Sequence, residues 1–184
     1  MQKLIPGLLD NTLEFFNLED DVKFISDGKV KSFNEAPASV IIILREAIEK
    51  KPEAKAILME WHPESEFNQL KQFASCKFGG IDYSADIKNG ELQEGEYWEC
   101  PKAGKCKGEG IICTSPTYNG HTLSKTEIQL IKLSTTEKTN EVIAEELNLP
   151  MGTFHKYKHL LYEKLGNIQT KQSLTKIAYN LNII

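Results

Sequence analysis

The chain has 184 residues, 40% of them hydrophobic and 26% charged, a balance that suits a folded globular protein and excludes a disordered tail. The longest apolar cluster, Val40–Leu44, is closed by Arg45 and Glu46 and falls short of the roughly 18 apolar residues of a membrane span. The net charge of −4 argues against a generally basic polyanion binder, but from residue 117 onward eight lysines face six glutamates, leaving +2 there and −6 before it.

The opening MQKLIPGLLDN is interrupted by Pro6-Gly7 and Asp10, and no small-residue cleavage site follows. It reads as an N-terminal arm over residues 1–19 and not as a signal peptide, which places the chain in the cytoplasm with its cysteines reduced. Two short alternating runs follow, Val22–Ile25 and Lys29–Phe33, around Asp27-Gly28, a dipeptide that suits a tight hairpin turn. Residues 38–50 read as a largely buried helix ended by Lys50-Lys51-Pro52. A second element covers Ala54–Trp61, stopped by His62-Pro63, and a third covers Glu64–Ala74. Ile81–Ile87 reads as a strand turning at Asn89-Gly90, with Asp82 and Asp86 as surface charges on one face. Residues 20–115 are therefore expected to form an α+β domain, regulatory or metal-binding. TSPTYNGHT then supplies a linker over residues 116–122.

From residue 123 to 184 the pattern is all-α. Leu123, Ile128, Ile131 and Leu133 mark a first amphipathic stretch, and Val142, Ile143 and Leu147 a second, closed by Asn148-Leu149-Pro150. A third begins near Met151, where Phe154, Tyr157, Leu161 and Leu165 share one face, and ends at Gly166. Two short helices across a tight turn, the second longer and basic outside, make a helix-turn-helix. With Phe154 inward, steps of about 100° put Lys156, His159 and Glu163 outward, flanked by His155 and Leu160. A last helix, Lys171–Leu181, carries Leu174, Ile177, Ala178 and Leu181 at helical spacing and completes a four-helix domain.

Leu123-Ser124, Glu127-Ile128, Ile131, Leu133, Asn140, Ile143–Leu147, Gly152–Phe154 and Lys164–Gly166 together resemble the DNA-binding domain of the LuxR/GerE family of bacterial transcription regulators. The resemblance implies sequence-specific binding to double-stranded DNA, with base-reading side chains at His155, Lys156 and His159. Thr153 and the first amides of that helix would hold a phosphate, and Asn140 and Lys164 would contact the DNA backbone. It also implies a homodimer through the final helix, although packing within the domain accounts equally for that stripe. Three positions depart from the family pattern: Thr135–Lys138 replace a usual glycine, Glu141 replaces a usual base, and Lys158 falls near the inner face, where its amine must snorkel outward. The alternative is an interaction protein whose helical domain docks on RNA polymerase or another regulator.

Cys100, Cys106 and Cys113 sit in one glycine-containing stretch, and Cys76 is the obvious fourth ligand, with His62 and His121 as substitutes. Four thiolates suit tetrahedral zinc. They also suit an iron–sulfur cluster, and buried cysteines without a metal are the third reading. No phosphate-loop motif exists, and Gly79-Gly80 is too short to serve as one. A catalytic metal site from His62, Glu60 and the cysteines is set aside, so no enzyme is expected.

Overall fold

Three antiparallel strands, β1 (Glu14–Leu18), β2 (Asp21–Ser26) and β3 (Lys29–Ser32), form a meander in which Phe15 stands opposite Phe24. The β2–β3 turn is made by Asp27 and Gly28, both at positive φ, the geometry that matches the twist of a two-residue hairpin. The computed structural model describes residues 4–184. They divide into two compact units, one running to Thr114 and the other from Ser115 to Ile184. Among the described residues no helix is long and apolar enough to cross a membrane.

In the N-terminal unit the helices α1 (Ala38–Glu49), α2 (Pro52–Trp61) and α3 (Glu66–Lys77) follow the meander. Val40, Leu44 and Ile48 line the inner face of α1, and Ala54 with Leu58 that of α2. Pro52 opens α2 because its missing N–H would be unpaired in a first turn anyway. Ser65 sets the start of α3 by accepting from the Asn68 amide at 3.2 Å. Phe15, Phe24, Phe33, Phe73 and Phe78 are fully buried where sheet and helices meet. The ring of Phe15 lies 6.0–6.1 Å from those of Phe24, Phe33 and Phe78.

Two sequence expectations change here. Of the arm expected over residues 1–19, residues 1–3 lie outside the described residues, and Glu14–Leu18 belong to the sheet as β1. Glu14 hides that strand from pattern reading, since it is a charged residue buried beside Phe15 and Phe16. Gly7 fastens the preceding turn to the sheet: its carbonyl accepts from Gly28 N at 2.8 Å, and any Cβ there would strike the Ile25 carbonyl. The strand expected over Ile81–Ile87 is the second change. Only β4 (Ile87–Lys88) pairs with β5 (Glu91–Leu92), with one further bridge from Leu13 to Ile87. Asp82 takes the Ser84 amide and Asp86 the Phe15 amide, so side chains replace a ladder over residues 81–86.

Asp86 is thus buried and not a surface charge. It joins Glu14 and Glu96 in a set whose carboxylate oxygens lie within 4.8 Å of one another. One Glu14 oxygen accepts from Asp82 N at 2.9 Å, and the other, Oε2, has no partner. Burial raises all three carboxyls well above their ordinary values; repulsion from Glu96 adds to it at Glu14 and Asp86, and repulsion from Asp82 adds to it at Glu96. The folded unit therefore holds protons that the unfolded chain releases. Stability from these groups is full below the unfolded carboxylate range and is lost as pH rises through the raised values. Glu14→Gln keeps the shape, removes the charge and gives the orphaned position a donor. It should raise stability at pH 8 by about 1–3 kcal/mol. It should also flatten the decline between roughly pH 5 and 9, read by urea denaturation across that range.

Candidate functional site

The C-terminal unit opens with a hairpin, β6 (Thr117–Tyr118) and β7 (His121–Thr122), turned by Asn119 and Gly120 at positive φ. Four helices follow: α4 (Lys125–Ser134), α5 (Asn140–Glu146), α6 (Met151–Lys164) and α7 (Lys171–Asn180). The stretch expected as a linker is thus folded, and the unit is not purely helical. Asn-Gly between two Thr-containing pairs was the available signal, obscured by the surrounding Pro and Thr content.

Ser124 and Glu127 begin α4 with a reciprocal capping box. Ile128, Leu130 and Ile131 are buried along it, and Ile143 and Ala144 along α5, while Val142 turns outward. At the junction where the family pattern has glycine, none of Thr135–Lys138 takes a positive φ, so no glycine is needed. The Thr135 and Thr136 hydroxyls donate to the carbonyls of Lys132 and Leu133 at 2.6 Å, closing the end of α4. A tight turn with Asn148 at positive φ then leads into α6.

On α6, Phe154, Leu161 and Leu165 are buried while His155, Lys156, His159, Leu160 and Glu163 are exposed. The outward row is the one the helical spacing predicts. His159 Nε2 lies 3.5 Å from Glu163 Oε1. Thr153 is exposed in the first turn, where Pro150 is the N-cap and no side chain caps the helix. Those first amides are free of intrahelical partners. Lys158 is half-buried: its ammonium donates to Asn140 Oδ1 at 2.9 Å and stands over the rings of Tyr162 and Phe154 at 5.6 and 5.9 Å. Burial holds its pKa below the ordinary lysine value.

Lys164, for which the resemblance implies a DNA-backbone contact, is engaged within the unit. Its ammonium donates to Glu127 at 2.8 and 2.9 Å and to the Thr122 carbonyl at 2.8 Å, tying α6 to the α4 cap and to β7. Spacing alone could not reveal this pair, because its members lie far apart in sequence. The apolar stripe of α7 is likewise spent inside the unit, with Leu174, Ile177 and Ala178 buried and Tyr179 left outside.

In the N-terminal unit, Cys76 lies in the last turn of α3 and accepts from Gln72 Nε2 at 3.2 Å. All four cysteines are free and partly buried. Burial pushes the Cys76 thiol up to about 11, and Cys113, Cys100 and Cys106 act on it in the same direction. Among the described residues the set of three or more ligand atoms within 4.8 Å is Glu14, Asp86 and Glu96; the thiols are not drawn together that closely, and neither His62 nor His121 joins such a set.

An anion-ready helix start, an exposed row of donors and a buried opposite face define a helix-turn-helix unit. Residues 121–178 match the family model GerE, of the bacterial regulatory proteins of the luxR family, so the C-terminal region of the chain is a domain of that family. No curated protein and no solved structure was found to match the chain.

Burial works to raise the Glu127 carboxyl, but its bonds from Lys164 and Ser124 outweigh that and hold it below the ordinary value. This pair's contribution is present above the unfolded carboxyl pKa and is lost as pH falls through the lowered one. Lys164→Met should therefore destabilise the chain by about 1–3 kcal/mol near neutrality. The gap to wild type should narrow in acid, as followed by circular dichroism in urea at several pH values.

Proposed function

We propose that this chain is a sequence-specific DNA-binding transcription regulator that places α6 in the major groove of double-stranded DNA and catalyses no reaction. The observation that carries the reading is the exposed row His155, Lys156 and His159, held outward by buried Phe154, Leu161 and Leu165. The match of residues 121–178 to the luxR family supports DNA binding by a helix-turn-helix in general.

Each side chain then has a role that its chemistry allows. Lys156 donates to guanine O6 and N7, and the two histidines donate to or accept from base edges. Thr153 and the uncapped first amides of α6 hold a phosphate, aided by the helix dipole. Asn140 spends its carbonyl oxygen on Lys158, which leaves its amide nitrogen to donate to a second phosphate. Lys164 is not assigned a DNA contact, because its ammonium already has three acceptors within the unit.

Duplexes selected from a random pool by the full chain supply the target for the test. Lys156→Ala and His159→Ala should each weaken the selected duplex by about 10–100-fold, in keeping with roughly 1–3 kcal/mol per base contact. The double variant should give no sequence-specific shift in a gel assay. Selection of no sequence, or unchanged binding by the double variant, overturns the assignment.

A further inference from the structure

We propose that Cys76, Cys100, Cys106 and Cys113 form a four-thiolate site for one zinc ion, which staples the irregular end of the N-terminal unit. Between β5 and β6, residues 93–116 contain neither helix nor strand, only irregular backbone and, from residue 101 to 113, turns. A segment of that length without regular structure is uncommon in a compact domain unless something specific holds it. Glu96 accepts from Gly80 N at 2.9 Å, and Trp98 Nε1 donates to the Cys76 carbonyl at 3.1 Å. Farther along, Gly108 sits close against Trp61, and Ile112 enters the core. The Trp98 bond thus brings the segment back to the end of α3 that carries Cys76, and Ile112 anchors its far part in the core.

Along it the three loop cysteines recur at turns. The Cys100 carbonyl accepts from Ala103 N at 3.0 Å, the Cys106 carbonyl accepts from Glu109 N at 3.2 Å, and Cys113 Sγ lies 3.8 Å from the Gly108 carbonyl. Cys76 is the fixed member, on a helix. The others ride on a loop with Gly104 and Gly110 at positive φ, and open space surrounds Gly110. The thiols do not lie within 4.8 Å of one another as a set, so binding an ion requires these turns to draw inward, toward zinc–sulfur distances of about 2.3 Å.

Charge and ligand type choose the ion. Four soft sulfurs with no carboxylate among them suit zinc over magnesium or calcium. On binding, four S–H protons pass to solvent and four Zn–S bonds form, leaving a centre of charge −2. Lys102 and Lys105, in the same loop and exposed, supply compensating positive charge, while Lys107 is paired with Glu60. The proposal stands apart from DNA binding, because its ligands all lie in the N-terminal unit.

The test is the metal and acid-labile sulfide content of the anaerobically purified full chain, followed by cobalt exchange. One zinc per chain is expected, with the strong visible absorption of tetrahedral cobalt thiolate after exchange. Cys106→Ser and Cys76→Ser should each lose that metal. A variant could fail to fold, so the wild-type chain is also melted with and without a strong chelator, and the chelated sample should melt lower. Absence of metal together with no cobalt spectrum, zinc retained in the Cys76→Ser, Cys106→Ser double variant, an unchanged melting temperature after zinc removal, or iron with sulfide in place of zinc would each overturn the zinc site.

Discussion

Burial of Phe154, Leu161 and Leu165 fixes the rotation of α6, and the character of the C-terminal unit depends on that rotation. A helix that must hide one stripe has no freedom over what its opposite stripe presents. His155, Lys156 and His159 need no contacts of their own to be held outward; the core on the other side does it. The ends of α6 are fixed by different means. At its start the turn through Asn148 and Pro150 leaves amides without a capping side chain, and at its end Lys164 binds Glu127 and Thr122. One end stays open to an anion while the other is locked to the domain.

The helical half was largely legible in the sequence because its information is periodic. The 3.6-residue repeat placed Phe154, Leu161 and Leu165 inside and the donor row outside, and Gly166 marked the stop. Long-range pairs were not legible. Nothing local to Lys164 distinguishes a phosphate ligand from a partner of Glu127, since both need an exposed-looking lysine near a helix end. Asn140 and Lys158 share the same limit, and their bond emerges only when α5 and α6 cross.

In the N-terminal unit the illegible parts are those where polar groups went inside. Pattern reading assumes that charged residues face water, so Glu14 concealed β1, and Asp86 passed for a surface charge on a strand. The fold tolerates the pair by keeping protons on it and by giving Asp86 the Phe15 amide and Glu14 the Asp82 amide. These carboxyls tie the backbone of residues 80–96 to β1 where no sheet ladder does so. Their cost in burial and their work as fasteners are the same fact.

Committed charges also bear on how the C-terminal unit would recognise DNA. Of the three lysines on α6, Lys158 serves Asn140 and Lys164 serves Glu127, while Lys138 and Lys171 elsewhere in the unit hold Glu146 and the Thr136 carbonyl. That leaves Lys156 as the exposed ammonium of the outward row, with Glu163 on the same face. Non-specific affinity grows with the number of phosphates neutralised, and the outward row of α6 neutralises few. Under the DNA-binding reading, discrimination must then rest on base edges and on the amides at the start of α6, because general attraction contributes little. An acidic chain can recognise a polyanion on those terms, since it would be selective through placement of donors and not through an excess of charge.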